Sequence, residues 1–547
     1  MNELTKLLFP DLKYTRDEIL NKYKRRPNDM VVTRFAPSPT GFLHIGGVYT
    51  AMINERIAHE QNGKFILRIE DTDSKREVEG TVDIICNVFE RLGLKFDEGV
   101  ISSNEENGEY GPYTQSKRVD IYHSFAAYLL ENDLAYPAFE SAEELEEIHK
   151  MQVSANVNPG YYGSWAKSRN LSIDEIKDKL SQNIPYVLRF KVPSNEPLRV
   201  VTHDVIRGDI ETDNNFNDIV LLKADGVPTY HFAHAVDDYL MGTKYVIRGE
   251  EWNASLPLHM QLFKYLGFEA PKYAHVAPVM KLDGTRRKLS KRKDPEANAM
   301  YFFEKGYPVK ALYVYLYTLI NSNFEEWYLA NPDKDIKEFE FKFENMSSSE
   351  GPLFDFEKLN SISREIISKM DPDTNAKNLL AWANEFNKDI YNELISNVEL
   401  VTNIFATQGA NTKENRKDLA CYSEFMDTFK LFYGKYDVLD IKELLKENVK
   451  EENIPLLKEG FIKYFNMVLN NTNVKEDGTL YTMSDLAKEL GYTNQKKFDK
   501  DPSAYKGVFT EFYHFLRILV THSVSGMDID TVCKVLGPKE VIRRLGE

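Results

Sequence analysis

Cysteine is nearly missing from this sequence, with Cys86, Cys421 and Cys533 the only three in 547 residues. They are too few and too scattered for a disulfide framework or a thiolate metal cluster, which points to a reducing compartment. Long apolar runs are missing too: no stretch reaches the length needed to span a membrane. The first 26 residues mix Asp and Glu with Lys and Arg and hold no apolar block, which argues against a secretion signal and an acid-poor transit peptide. A cytoplasmic protein is expected. Positive charge is in deficit, 69 Lys and Arg against 85 Asp and Glu for a net charge of -16. Taken globally this opposes nucleic-acid binding, which needs clustered Lys and Arg. Local clusters at Arg286-Arg287-Lys288, Lys291-Arg292-Lys293 and Arg543-Arg544 still allow one basic face, and each can equally be solvated surface charge. Repeats and low-complexity tracts are not evident. What is present is ordinary for a soluble protein, 42% hydrophobic and 28% charged, in a chain long enough for several domains.

The chain is organised around the stretch from Arg34 to Asp73. Met30-Val31-Val32 is a short apolar run whose β-branched residues suit a buried parallel strand, and Ala36-Pro37-Ser38-Pro39-Thr40-Gly41 breaks it before His44-Ile45-Gly46-Gly47. Two prolines disfavour helix through Ser38 and Pro39, whereas Gly41, Gly46 and Gly47 let backbone pass close to a ligand. A helix is expected over about 48–59, with a start that suits an anion. A second strand, Lys64 to Ile69, ends in Glu70-Asp71-Thr72-Asp73. Polar groups thus collect at the carboxyl ends of two strands, where open α/β sheets bind ligands. Asp71 and Asp73 have a second reading as turn residues, with Asp73 or Ser74 capping the next helix.

Residues 1–26 read as an amphipathic helix with no function assigned, and Val78, Val82, Ile85, Phe89 and Leu92 recur at helical spacing. Another helix is expected after Thr114 or Ser116. From about 138 to 217 the character changes to a Glu- and Lys-rich helix (142–151), a Gly-Tyr-Tyr-Gly turn and short strands at 186–190 and 198–201. Strands return at 219–222, 229–231 and 245–248. Helix is expected from about 267, interrupted by a basic loop at 283–293, and nearly every segment beyond 330 is helical in pattern, including 357–370, 437–446 and 509–520.

Thr33-Arg34-Phe35-Ala36-Pro37-Ser38-Pro39-Thr40-Gly41, His44-Ile45-Gly46-Gly47 and Arg68-Ile69-Glu70-Asp71-Thr72-Asp73 are followed by Gly226-Val227-Pro228-Thr229-Tyr230-His231-Phe232-Ala233, Val236-Asp237-Asp238, Val246-Ile247-Arg248-Gly249-Glu250-Glu251-Trp252 and Lys288-Leu289-Ser290-Lys291-Arg292. In that order they resemble the class I glutamyl-tRNA synthetases, bacterial type, densely over 30–300 and thinly beyond. The resemblance implies an α/β fold: a Rossmann-like class I catalytic domain with an inserted acceptor-stem domain, followed by an all-α anticodon-binding region. The expected segments are a helical extension (1–26), catalytic first half (27–137), insertion (138–217), catalytic second half (218–266), stem-contact region with the basic loop (267–330) and helical region (331–547). The implied partners are L-glutamate, ATP with Mg2+, and tRNA(Glu), with no membrane and a monomeric chain.

The resemblance also implies site residues. His44, Gly46, Gly47, Lys288, Ser290 and Lys291 would bind ATP, with His44, Lys288 and Lys291 catalytic; Arg34, Ala36, Ser38, Glu70, Tyr230 and Arg248 would bind glutamate. The chemistry agrees with these types. Attack of a carboxylate on the α-phosphorus of ATP gathers negative charge that fixed donors must meet. Glutamate carries two carboxylates and one ammonium, so its pocket wants two guanidinium forks and one acceptor carboxylate. Which arginine takes which carboxylate stays open. Arg248 also has a reading as a surface partner of Glu250 or Glu251, and the basic loop one as an RNA clamp.

Three departures from the family stand out. Arg292 stands where class I enzymes often have Ser, and His234 where the family often has Asn, a change expected to alter one polar group of the pocket. Many relatives hold zinc in the insertion through cysteines at positions matching Ala138 and Glu140 and a ligand near Trp165, so no structural zinc is expected, with Pro137, Phe139 and Trp165 packing in its stead. The alternatives are a glutaminyl-tRNA synthetase, against which the helical chain end argues, a non-discriminating glutamyl enzyme, and a silent RNA-binding regulator that would keep the helices and lose the motifs.

Overall fold

The computed structural model describes residues 2–73, 75–346, 350–409, 416–436 and 440–546. They form two compact units, Met1–Phe302 with Tyr313–Phe356, and Phe303–Leu312 with Glu357–Glu547. The long stretch of the second unit thus begins at Glu357, and the 330/331 boundary drawn from sequence falls inside the first unit. Among the described residues, no helix is long and apolar enough to cross a membrane.

The first unit is built on parallel strands. Val32–Phe35 pairs with Lys64–Leu67, which pairs with Glu98–Ser102. On its other side the amide of Lys244 donates to the Val32 carbonyl, and the next strand, Tyr245–Gly249, pairs in parallel with Lys272–Val276. Val32–Phe35 is buried throughout: Val32 and Phe35 are apolar, Thr33 is satisfied by donating its hydroxyl to the Asn54 carbonyl at 2.7 Å, and Arg34 is paired with Asp238. Chain direction places Val32–Phe35 and Tyr245–Gly249 next to each other although more than 200 residues separate them, so a crevice opens at their carboxyl ends.

Helix Ile45–His59 starts three residues earlier than its sequence pattern suggested, because His44 caps it: its Nδ1 accepts from the Gly46 amide at 2.9 Å. Gly47 lies inside that first turn, where a Cβ would come within 3.3 Å of the Phe35 ring and 3.2 Å of Leu43, tighter than an ordinary contact. The expected strand at 229–231 is not one. Thr229 is the N-cap of helix Tyr230–Leu240, which presents Tyr230 in its first turn. Nor is the region after 267 helical from its start, since strand Lys272–Val276 intervenes and the basic loop opens as a hairpin, Met280–Asp283 with Thr285–Lys288, turning at Gly284 with φ +67°.

The insertion carries a three-stranded antiparallel sheet of Ala135–Ala138, Val187–Phe190 and Val220–Leu222, flanked by helices Ala142–Ser154 and Ile173–Ser181. Its hairpin, Arg199–Asp204 with Gly208–Asp213, joins the strand Lys272–Val276 through Asp204 opposite Tyr273. The N-terminal extension is two short helices, Glu3–Leu8 and Arg16–Lys22, with Ile19 and Tyr23 buried. Arg26 anchors it by a forked pair to Glu98 at 2.7 and 2.9 Å. Helix Thr81–Leu92 begins after Gly80 and not at Asp73, which instead pairs with Arg76 at 2.6 Å; Ser74 lies outside the described residues. Asp71 serves no turn of its own: it accepts from the Ser116 amide at 2.8 Å, across 45 residues, in the first turn of Gln115–Arg118.

The second unit is helical around Leu379, Phe425, Phe461, Phe512, Phe515 and Val541. The expected helix at 437–446 is Ile441–Asn448, and 437–439 lie outside the described residues. Arg543-Arg544 is not a basic surface cluster. Arg543 pairs with Glu540, and Arg544, 3% exposed, donates to the carbonyls of Leu431, Phe432 and Val520. Arg544→Ala is therefore expected to take the guanidinium donor from three carbonyls, leaving Leu431 with only the Gly434 amide at 3.4 Å, and to lower unfolding stability by about 2-4 kcal/mol. Urea unfolding measures this, and a change below about 0.5 kcal/mol would remove Arg544 from the core.

Candidate active site

A cleft of about 1180 Å³ lies at the carboxyl ends of Val32–Phe35 and Tyr245–Gly249. It is lined by Arg34, Ala36, Ser38, His44, Gly46, Gly47, Glu70, Tyr230, Arg248, Lys288 and Lys291, every site residue expected from the sequence except Ser290. The Ser290 amide donates to Asp294 at 2.8 Å, and its hydroxyl accepts from the Arg292 amide at 3.3 Å, so this residue shapes the loop.

At one end of the cleft, His44 is held in one tautomer. Its Nδ1 accepts from Gly46, so Nε2 carries the proton and points it at the Leu289 carbonyl at 3.3 Å. Burial, with Lys291 and Lys288 adding to it, depresses its pKa, so it is a neutral donor. Lys291 reaches the Phe42 carbonyl at 3.0 Å across the Phe42 ring, while Lys288 pairs with Glu251 at 3.1 Å. The hairpin behind them is fastened by Asp294, which Arg287 grips with two nitrogens at 2.6 and 2.8 Å. That grip, against the opposing effect of burial, holds its carboxyl below the usual range. Two cations and one neutral donor thus face the region where Gly46 and Gly47 bring backbone close.

The other end is a buried ionic network. Asp238 receives Arg34 Nε at 3.0 Å, an Arg68 nitrogen at 2.8 Å and the Thr243 hydroxyl at 3.0 Å, with His234 Nδ1 at 2.7 Å. Burial alone would raise its pKa, but these partners, Arg34 foremost, hold it well below the carboxylate range. Asp237 takes Arg118 at 2.7 Å, Gln115 at 2.9 Å and the Tyr122 hydroxyl at 2.7 Å. Glu70 pairs with Arg68 at 3.0 Å, and burial pushes its pKa up despite Arg68 and Arg34. Tyr230 lies 4.4 Å from the Trp252 ring and 3.4 Å from an Arg248 nitrogen.

Two sequence readings change here. Arg248 does not pair with Glu250 or Glu251, whose partners are Arg207 and Lys288. His234 does not alter a polar group of the cleft wall: it is fully buried behind Tyr230, and its second nitrogen meets the Tyr273 hydroxyl at 2.9 Å. Burial drops its pKa to about 3, so it stays neutral, with its Nδ1 2.7 Å from the Asp238 carboxylate. Residues that sequence reasoning did not assign to the site are Trp252, Glu251, Lys223 and Thr72, which line the cleft, Asp238, which holds the cleft arginine Arg34, and Asp237, which holds Arg118 behind it. The two aspartates were visible inside a quoted motif, but only their contacts reveal a role.

A parallel sheet with this crevice, a capped Gly-Gly helix start and a lysine-bearing hairpin define a class I tRNA synthetase fold and site. The family model for tRNA synthetases class I (E and Q), catalytic domain, matches residues 30–361. The glutamate--tRNA ligase of Clostridium perfringens is 42% identical over 551 residues, covering 99% of both chains, and that of Acetivibrio thermocellus is 42% identical over 99% of this chain and 98% of its own. A crystal structure of a glutamate tRNA ligase from Elizabethkingia meningosepticum in complex with its amino acid matches with TM-score 0.73 and 27% identity, covering 94% of this chain and 98% of that one. The chain belongs to the glutamate--tRNA ligase family.

Proposed function

We propose that this protein is a glutamate–tRNA ligase, which joins glutamate to ATP as glutamyl-adenylate with release of pyrophosphate and passes the glutamyl group to the 3' end of tRNA(Glu). The observation that carries the reading is that Arg34 and Arg248 come from strands on the two sides of the sheet crevice and line one cleft with Glu70, beside His44, Lys288 and Lys291. Two guanidinium groups suit the two carboxylates of the substrate, and Glu70 or the Tyr230 hydroxyl suits its ammonium. With the α-carboxylate held against the α-phosphorus, the His44 Nε2 proton and the lysine ammonium groups meet charge as it moves onto pyrophosphate. Ala36 and Ser38 bound the amino-acid end, and Gly46 and Gly47 the nucleotide end.

Among the described residues there is no group of three or more His, Cys, Asp or Glu side chains that could hold a metal. Mg2+ would therefore arrive on the ATP phosphates, where it shields their charge. We place the reaction in the cytoplasm and in a monomer, with the helical second unit contacting the anticodon. Charging of purified tRNA(Glu) and tRNA(Gln) with glutamate and, separately, with glutamine tests the reading. Glutamate attached to tRNA(Glu) supports it, attachment to both makes the enzyme non-discriminating, and attachment of glutamine alone rejects it.

The insertion is proposed to fold without zinc. At one of the two positions where the family resemblance implies a thiolate, Glu140 accepts from the Ser168 hydroxyl at 2.8 Å and from the Tyr161 hydroxyl; beside it Asp218 binds Tyr136 at 2.7 Å, the Val192 amide at 2.9 Å and Arg169. Tyr136, Ala138, Tyr161 and Ala166 pack beside them; of the three residues the sequence suggested, Pro137 and Phe139 are buried and Trp165 is half-buried and outside that cluster. Elemental analysis after chelation and desalting is expected to find far less than one zinc per active chain; one equivalent, lost together with activity, overturns this.

A further inference from the structure

Four arginines, Arg34, Arg68, Arg118 and Arg248, are buried in or behind the cleft. Three are paired with carboxylates: Arg34 with Asp238, Arg68 with Asp238 and Glu70, and Arg118 with Asp237. Arg248 has no carboxylate partner among the described residues. Its Nε donates to His275 Nε2 at 3.0 Å, and one terminal nitrogen donates to His259 Nδ1 at 3.2 Å and to the Trp252 carbonyl at 3.4 Å.

Arginine only donates, so both imidazole nitrogens facing it must accept, and each ring's remaining proton is assigned by what stands on its far side. His275 Nδ1 donates to Asp204 at 2.7 Å, and His259 Nε2 donates to His231 Nδ1 at 2.9 Å. His259 and His275 are both fully buried, and they lie on different elements, helix Leu256–Leu266 and strand Lys272–Val276, with His275 directly opposite Arg248 in the parallel register. The Tyr273 ring, 4.9 Å from the guanidinium, adds attraction and likewise leaves its charge intact. Asp204 is the nearest acid behind His275, but an imidazole separates it from Arg248, and it is engaged by the amides of Ile206, Arg207 and His275.

We infer that His259 and His275 are positioning residues for amino-acid recognition: as neutral acceptors they fix the Arg248 guanidinium in place without neutralising it, leaving its charge for a substrate carboxylate. A carboxylate in either position would fix the arginine equally well and cancel the charge that the ligand needs. The pairing differs from Arg34, whose charge is shared with Asp238, so the two arginines are unequal: Arg248 is the stronger anion site of the cleft. This rests on the reading that Arg248 binds substrate.

The test compares variants of the full chain in pyrophosphate exchange with tRNA present. His259→Asn keeps an acceptor near Nδ1 and stays neutral, whereas His259→Asp keeps the acceptor and adds charge. The Asn variant is expected to hold the glutamate KM within about threefold of wild type, and the Asp variant to raise it by about tenfold to 100-fold with the ATP KM and kcat little changed. His275→Gln against His275→Glu repeats the comparison at the second ring. Equal glutamate KM in the Asn and Asp variants, both with wild-type melting temperature, overturns the inference, as does an Asn variant impaired as much as the Asp one. Arg248→Ala is measured alongside. An unchanged glutamate KM in that variant removes Arg248 from substrate binding altogether, whereas a large rise there with no Asn–Asp difference rejects only the role of the histidines.

Discussion

Lys291→Ala is expected to lower kcat by on the order of 100-fold or more while the KM for glutamate moves little. The reason lies in how differently the two loop lysines are engaged. Lys288 is paired with Glu251 at 3.1 Å, so part of its charge is already answered. Lys291 has only the Phe42 carbonyl at 3.0 Å and the Phe42 ring, and no carboxylate within ion-pair distance among the described residues. Its charge is available when pyrophosphate departs, and it meets His44 on the same side of the cleft, where the imidazole proton points at Leu289, one of the two residues between the lysines. An interaction made only as charge develops appears in kcat, not in substrate affinity. Exchange kinetics at saturating glutamate and ATP measure it. A fall in tRNA affinity alone, with exchange intact, would make the loop an RNA clamp.

The parts of the fold that were legible are those in which local pattern and tertiary role coincide. The strands Val32–Phe35 and Tyr245–Gly249 are marked by buried β-branched pairs, Val31-Val32 and Val246-Ile247, just before Arg34 and Arg248, and burial of that kind leaves a short apolar run in the sequence. The reading failed where a segment was too short for its periodicity to decide. Thr229 to His231 suits a strand by composition, yet Thr229 is the N-cap of a helix that buries Phe232 and Ala233. Lys272–Val276 was hidden for a similar reason, and the hairpin from Met280 to Lys288 because charge dominates its composition: its order comes from Asp294 and Glu296 reaching back to Lys281 and Arg287.

The site divides in the same way. Residues that would touch ligand were legible because their chemistry limits the residue type: a fork for a carboxylate, a lysine for a phosphate. Residues that hold those groups were not. Asp238, His259 and His275 meet the cleft arginines across 11 to 204 positions of sequence, and nothing in the local sequence of His275 distinguishes it from any packed histidine. His234 shows the converse. Its departure from the family suggested a changed pocket, and the structure absorbs it as one more neutral ligand of Asp238.

Arg34→Ala is expected to cost about 2-4 kcal/mol in kcat/KM for glutamate. Only its Nε is engaged by Asp238, at 3.0 and 3.3 Å, which leaves the terminal nitrogens to the cleft that Arg34 lines. The substitution removes a guanidinium from the pocket without orphaning the aspartate behind it, because Asp238 keeps Arg68, Thr243 and His234. The loss should therefore fall on substrate binding more than on folding, a distinction that matters because deleting one partner of an isolated buried pair would unfold the chain instead. Stability by thermal melting and glutamate kinetics by exchange, measured on one preparation, separate the two. A variant that melts far below wild type but binds glutamate normally would show that Arg34 serves Asp238 alone. A variant that folds well and loses glutamate affinity places the arginine on the substrate, and with Arg248 bound only by neutral partners, the larger loss should follow removal of Arg248.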